Sequence, residues 1–297
     1  MRLSITAFAP LGLSLLLGIG ATGSAQAVAT LVVDRGLPVA NLTTPNLNIS
    51  AGVNRSNVDW SGYTAGGQSF ITGDTFQMPV DQQWTIDTIR TWSPAIPLAG
   101  SDTLGSLYSS ITLYADLYSN LGNDPATWAI NKAGTISGNT SNNDITFTRV
   151  LYQDATAPND DYQGQSGTWS QIWQVDFKNL NWVVTPGDWI VFGVDAAALT
   201  TLPWSNHASN AALSNSPQQD ADDFFTFINM TAGFYGDWYD CDSASDPECV
   251  WGNSSDINVQ VFATPAPGSL ALALIGLFGL SAARRTEARS TAARCAP

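Results

Sequence analysis

The sequence predicts an all-β fold, an antiparallel β-sandwich of jelly-roll-like type with an N-terminal signal peptide and a C-terminal apolar tail helix. Three observations support the sandwich. First, the 297 residues are only 12% charged, and Glu and Lys, the usual residues of helical surfaces, occur twice each against 23 Asp. Second, eleven Trp, 25 Gly and many Thr, Ser and Asn favour strands and turns. Third, eight or more segments have strand patterns, with turn residues between them.

Alternation with period two marks the half-buried strands. The clearest examples are Ile111–Leu117, Trp173–Lys178 and Ile257–Val261, each with apolar side chains on one face. Trp189–Val194 is nearly all apolar, which predicts a central strand buried on both faces. Further strands are predicted at Phe70–Met78, Trp84–Trp92, Ile145–Tyr152 and Phe224–Ile228. Asp195–Thr201 is the one segment expected to form a short helix.

The N-terminal segment Met1–Ala27 has the pattern of a secretory signal peptide. Arg2 precedes the short apolar stretch Leu11–Ile19, and small residues occupy the end of the segment. Cleavage is predicted between Ala27 and Val28. The alternative is an uncleaved membrane anchor, for which the apolar stretch is short.

The C-terminal segment carries a second targeting pattern. Pro265, Ala266 and Pro267 precede an uncharged stretch, Ser269–Ala283, which ends at Arg284 and Arg285. Its 15 residues fall short of the roughly 20 that a full transmembrane helix needs. The alternative interpretation is an apolar tail helix with no sorting role.

This tail resembles the PEP-CTERM sorting signal of Gram-negative bacteria, in which a Pro-Glu-Pro-like motif, an apolar segment and an arginine cluster follow one another. Ala266 stands where that family usually has Glu, and Thr286–Pro297 extends further past the arginines than is common. The resemblance implies export through the secretion machinery, recognition by an exosortase, transient contact with the inner membrane, and delivery to the cell envelope, surface or extracellular matrix.

The body also resembles the single-domain β-sandwich proteins of unassigned function that often precede such tails. The matching stretches are Gln68–Phe76, Trp84–Ile89 and Ile111–Asp116. We therefore predict a signal peptide at 1–27, one sandwich domain at 28–263 with an N-terminal extension at 28–59, and a sorting tail at 264–297.

The predicted body is strongly acidic. Residues 28–263 carry 24 acidic and six basic side chains, a net charge near −18, whereas the whole chain carries −14. Non-specific nucleic-acid binding needs clustered positive charge, so nucleic acid is excluded as a partner.

Two cysteines remain in the body. Cys241 and Cys249 are predicted to form a disulfide around the short loop 242–248, as expected in an oxidising compartment. The alternative is a metal site, but two cysteines without a neighbouring histidine make a poor zinc site.

Catalytic residue types are scarce, and the protein is predicted not to be an enzyme. His207 is the only histidine, no Gly-x-Ser-x-Gly stretch supplies a nucleophile, and His207 is expected to be a surface residue. Glycosidase or lyase chemistry needs two carboxylates in one cleft, and here Asp would have to supply both. An Asp-based glycosidase or lyase is therefore the third-ranked alternative.

Two groups of residues are candidates for binding. Asp220, Asp222 and Asp223 supply the oxygen ligands that calcium prefers, although a solvated acidic loop is the favoured interpretation. No other cofactor is predicted. The second group consists of aromatic residues near strand ends, whose rings would stack on sugars if exposed and would close the core if buried: Trp204, Trp238, Tyr239 and Trp251.

These observations together predict an exported, non-catalytic surface or matrix protein that contacts exopolysaccharide. The main alternative is a carbohydrate-binding module with a specific glycan ligand.

Overall fold

The computed structural model describes residues 28–37, 59–65, 68–95, 103–151, 161–163, 169–209, 226–230, 235–238 and 256–266. The predicted signal peptide and the tail from residue 267 onward lie outside these ranges. The strands of the described residues are β1 (Thr30–Arg35), β2 (Asp59–Ser61), β3 (Tyr63–Ala65), β4 (Gln68–Gln77), β5 (Trp84–Ala95), β6 (Tyr108–Leu117), β7 (Ile130–Thr135), β8 (Ile145–Val150), β9 (Tyr162–Gln163), β10 (Trp169–Phe177), β11 (Trp182–Val184), β12 (Trp189–Ala198), β13 (Ser205–His207), β14 (Thr226–Asn229), β15 (Tyr235–Trp238) and β16 (Val259–Pro265). Helical structure among them is limited to α1 (Leu104–Leu107) and to 3₁₀ turns at Tyr118–Asn120 and Pro125–Thr127.

The strands pair into two antiparallel sheets and one short ribbon, and the sheets pack as a sandwich, so the predicted fold class is confirmed. The first sheet has the order β1-β16-β5-β10-β8, with β11 beside β5 and β9 beside β10. The second sheet has the order β15-β14-β4-β12-β6-β7, with β3 beside β4. The ribbon pairs β13 with β2. The chain crosses between the sheets repeatedly, which places strands distant in sequence side by side.

The main core lies between the two sheets. The second sheet contributes Ile111, Leu113 and Ala115 from β6, which are buried in alternation as predicted. The first sheet contributes Val175 and Phe177 from β10 to the same core. The all-apolar stretch of β12 lies between β4 and β6 and is buried on both faces, because a smaller cluster around Val191 covers the outer side.

A bulge in β5 explains why Ile86 and Ile89 both enter this core, although they are three positions apart. Successive side chains of a regular strand point to opposite faces, so these two would diverge. Ile86 lies opposite Ala263 of β16 and Thr88 lies opposite Phe262, which leaves one extra residue in β5. The extra residue resets the alternation, and both isoleucines are buried.

A polar row crosses the outer face of the first sheet and holds four strands in register. Asp34, Gln260, Arg90 and Asp176 are successive cross-strand neighbours on β1, β16, β5 and β10. Arg90 donates to both Asp176 carboxylate oxygens, at 2.6 and 3.1 Å, and to Gln260 Oε1 at 3.2 Å. Gln260 Nε2 donates to Asp34 Oδ1 at 2.7 Å. Because each member contacts the next, a slip of one strand breaks the row.

Three local expectations need correction. The helix expected at Asp195–Thr201 is wrong, because β12 continues to Ala198 and pairs with β6 as far as Tyr108. The predicted N-terminal extension includes β1, which is an edge strand of the first sheet and therefore part of the sandwich itself. The sheet also runs past the predicted boundary at residue 263, since β16 extends to Pro265.

Candidate functional site

The candidate site is a cavity that opens where β4 and β12 separate. The two strands pair from Gln77 opposite Trp189 to Gly73 opposite Gly193. Beyond that point β12 continues along β6 only. Phe70 of β4 pairs with both β3 and β14, so β3 takes the side of β4 that β12 has left. A gap therefore forms between β3 and the end of β12.

The gap holds a cavity of about 180 Å³. Its lining residues include the apolar Phe70 and Ile71 of β4 and the hydroxyl-bearing Thr64 and Ser69. The residues that line the opposite side include Asp195 of β12. The cavity thus combines apolar surface, hydroxyls and one carboxylate.

Asp195 is held in an environment that disfavours its charge. Burial raises the pKa of its carboxyl, and a hydrogen bond from the Ala196 backbone N–H opposes this rise in part. No Lys or Arg among the described residues forms an ion pair with it. A carboxylate in this position is available to accept hydrogen bonds from a ligand.

A tyrosine on the neighbouring strand interacts electrostatically with the same carboxylate. Tyr114 of β6 lies opposite Gly193, on the outer face that Asp195 also occupies. Burial raises the pKa of the Tyr114 phenol, the Asp195 charge raises it further, and a hydrogen bond with Thr112 lowers it. Asp195, Thr112 and Tyr114 thus form a polar patch beside the cavity.

A second polar group lies inside the sandwich, and we call it the interior cluster: Arg35, Asp74, His207, Asp256 and Asn258. Arg35 Nη1 lies 3.2 Å from Asp74 Oδ2 and 3.7 Å from Asp256 Oδ2, and Nη2 donates to the Thr75 carbonyl. Asp74 also accepts hydrogen bonds from backbone N–H groups, Thr75 at 2.7 Å and Ile257 at 2.5 Å. The cluster therefore joins β1, β4 and the segment before β16.

His207 belongs to this cluster and not to the surface, so the expectation of a surface histidine is wrong. Its side chain is 0% exposed, and its Nδ1 lies 2.6 Å from Asn258 Oδ1. Asn258 Nδ2 donates to the carbonyls of Arg35 and Gly36, which leaves Oδ1 to face the imidazole. Nδ1 of His207 therefore carries a proton and donates it. Period-two alternation did not reveal this burial, because polar side chains can satisfy one another inside a core.

The aromatic candidates have separate outcomes. Trp204 is only 3% exposed, packs edge-on against Tyr108 at 5.2 Å and donates Nε1–H to Asn206 Oδ1 at 3.3 Å. An exposed stacking role for Trp204 is therefore wrong, although the residue lines the cavity. The backbone of Trp238 lies in β15, whereas Tyr239 and Trp251 lie outside the described residues.

The remaining predicted sites fall mostly outside the described residues. This applies to the calcium candidates Asp220, Asp222 and Asp223, to Cys241 and Cys249, to Ala27, and to Pro267, Arg284 and Arg285. Val28 is 84% exposed. Pro265 ends β16, and Ala266 is buried with its N–H donated to the Gln83 carbonyl at 2.9 Å. The first two residues of the tail motif therefore belong to the sandwich.

Two features are absent from the described part of the chain. It holds no group of three or more His, Cys, Asp or Glu placed to bind a metal ion. It also holds no helix long and apolar enough to cross a membrane.

One signal in the sequence pointed to Asp195. It follows the apolar run of β12 directly, so an acidic side chain stands at the end of a buried strand. The cavity itself depends on where β4 and β12 stop pairing, which no local pattern encodes.

The fold and the cavity define an antiparallel β-sandwich with a small pocket between two separating strands. Comparison with protein-family models, with curated proteins and with solved structures found no match.

Proposed function

We propose that this chain is an exported, non-catalytic component of the cell surface or extracellular matrix of a Gram-negative bacterium, sorted through its PEP-CTERM-like tail and able to contact exopolysaccharide. The observation that carries the proposal is the direct continuity of β16 with the tail. β16 lies inside the first sheet, between β1 and β5, and ends at Pro265. The apolar stretch 269–283 begins four residues later. A tail held at the membrane would thus hold the whole sandwich close to it.

The interior cluster supports a non-catalytic role. His207 and Asp74 are the residue types that hydrolases use, yet both are fully buried and bonded to other strands. Asp74 joins the two sheets through Arg35, and His207 joins the ribbon to the segment before β16, so both residues have structural roles.

The sorting step can be tested by charge-matched variants of the tail. Arg284→Ala with Arg285→Ala removes the predicted arginine cluster, and Arg289→Ala with Arg294→Ala removes the same charge further along. In a host that carries an exosortase, we expect only the first pair to leave the protein uncleaved in the membrane fraction. Intact-mass spectrometry of each fraction reports the site of cleavage. Equal processing of both variants would show that the arginine cluster is not required for sorting.

The non-catalytic claim has its own test. Purified exported protein is incubated with a panel of polysaccharides and ester substrates, and released products are measured. We expect no product above the rate of a denatured control. Turnover that depends on Asp195 would instead favour the glycosidase or lyase alternative.

A further inference from the structure

The cavity beside Asp195 has the size of one six-membered ring. Its volume is about 180 Å³. For comparison, an engineered protein cavity of about 150 Å³ holds one benzene molecule. A single ring with small substituents therefore fits, whereas a longer oligomer would have to project into solvent.

The wall chemistry narrows the class of ligand. The cavity is lined by both apolar residues, among them Phe70 and Ile71, and polar residues, Thr64, Ser69 and Asp195. A pyranose ring has the matching surface, because its C–H groups form apolar faces and its hydroxyls surround them. A purely apolar ring would remove water from the Asp195 carboxylate and offer it no further hydrogen-bond donor, which disfavours such a ligand.

We propose that this cavity binds one pyranose ring at the end of a glycan, and that the Asp195 carboxylate accepts hydrogen bonds from the ring hydroxyls. This inference rests on the proposed contact with exopolysaccharide and assigns it to a site. Of the aromatic residues that the sequence suggested, Trp204 lines this cavity, whereas Asp195 and β3 were not among the suggested residues. The raised pKa of Asp195 agrees with a carboxylate whose burial is offset only in part by the Ala196 N–H.

The test uses the purified exported protein and methyl glycosides of glucose, galactose and mannose, with sorbitol as an acyclic polyol. At a concentration roughly ten times Kd, a ligand specific to the native state raises the Tm by about 3–6 °C. We expect at least one glycoside to give a saturable rise. Sorbitol controls for the general stabilisation that osmolytes produce. A rise no larger than that of sorbitol for every glycoside would overturn the proposal.

Two variants locate the binding. Asp195→Asn keeps the side-chain volume and removes the carboxylate, and Ala198→Trp fills the cavity from the end of β12. Both should abolish the saturable rise. Ala197→Trp is the matched control, because Ala197 is exposed on the same strand but does not line the cavity. Binding that survives in both cavity variants would place the sugar elsewhere and refute this assignment.

The outcome is separable from that of the proposed function. Cell fractionation and intact mass report export and sorting without reference to any sugar. If no sugar binds but sorting is normal, the cavity proposal fails and the proposed surface role stands. If the protein binds a sugar saturably but stays in the cytoplasm, the cavity proposal stands and the proposed surface role fails.

Discussion

At the scale of single residues, the interior cluster shows how buried charge can join two sheets. Arg35 stands at the end of β1 in the first sheet, and Asp74 lies on β4 in the second. Both side chains are almost completely buried. A buried ion pair adds little net stability over an apolar pair, but removal of one partner leaves a charge without compensation.

Asp74→Asn should therefore destabilise the fold by about 3 kcal/mol. The substitution removes the charge beside Arg35 and weakens the hydrogen bond from the Ile257 N–H. The loss is placed at the low end of the usual range, because Asp256 remains 3.7 Å from Arg35. Urea unfolding of the exported protein measures it.

The control for this substitution is Asp81→Asn on the exposed bend before β5. It makes the same chemical change at the surface and should alter stability by less than about 0.5 kcal/mol. Equal effects at the two positions would mean that the interior cluster contributes nothing specific.

Asp195 should give stability a distinctive pH dependence. Its pKa is raised in the folded state, so the folded protein binds the proton more tightly than the unfolded chain does. Stability therefore falls as pH rises from the ordinary carboxyl pKa of 3.8 through the raised value. Asp195→Asn should raise the Tm at neutral pH, and the difference should shrink as the pH falls toward 3.8. Thermal melts across this range would refute the argument if the variant were less stable at neutral pH.

At the scale of elements, two facing glycines make room for the side chains that pack over strands β4 and β12. Gly73 lies directly opposite Gly193. A Cβ on Gly193 would lie 2.6 Å from Ile228 Cδ1 and 3.0 Å from Ile71 Cδ1. A Cβ on Gly73 would meet the backbone oxygen of Phe192. The pair thus makes room for isoleucine side chains at the point where the strands begin to separate.

The two glycines should differ in their response to alanine. Gly73→Ala should cost more, because its Cβ meets rigid backbone, whereas Gly193→Ala meets side-chain ends that can shift. Overpacking of this kind costs roughly 1–3 kcal/mol. Chemical denaturation measures both. Gly122→Ala is the control, since no atom lies within 4 Å of its added Cβ. The explanation fails if the three variants are equally stable.

Sequence periodicity predicted the long strands well and the short ones poorly. Strands β6, β10 and β12 combine length with a buried face, so their apolar pattern is clear. Strands β2, β3 and β13 have three residues each, too few for a pattern to emerge. The interior cluster was missed because Asn258 and His207 are polar, and its stability depends on partners distant in sequence. The cavity was missed for the same reason, since strand separation is a tertiary property.

At the scale of the whole molecule, the two ends of the body meet in one sheet. β1 pairs with β16, and β16 pairs with β5 on its other side. Asp256 and Asn258, close to the start of β16, contact Arg35 at the end of β1. The first sheet is therefore incomplete until the last strand has been added.

This arrangement predicts that the sandwich forms only when the chain is present as far as Ala266. A chain ending at residue 255 lacks β16 and part of the interior cluster, so β1 loses its pairing partner and Val259 and Val261 leave the core. We expect it to show no cooperative urea transition, whereas a chain ending at Ala266 should unfold cooperatively. Near-ultraviolet circular dichroism of the two chains reports tertiary packing independently. Cooperative unfolding of the shorter chain at an unchanged midpoint would show that β16 is dispensable. Loss of the cooperative transition in the shorter chain would instead mean that β16 is required for folding. An exported chain would then complete its fold only after the residues just before the tail have crossed the membrane.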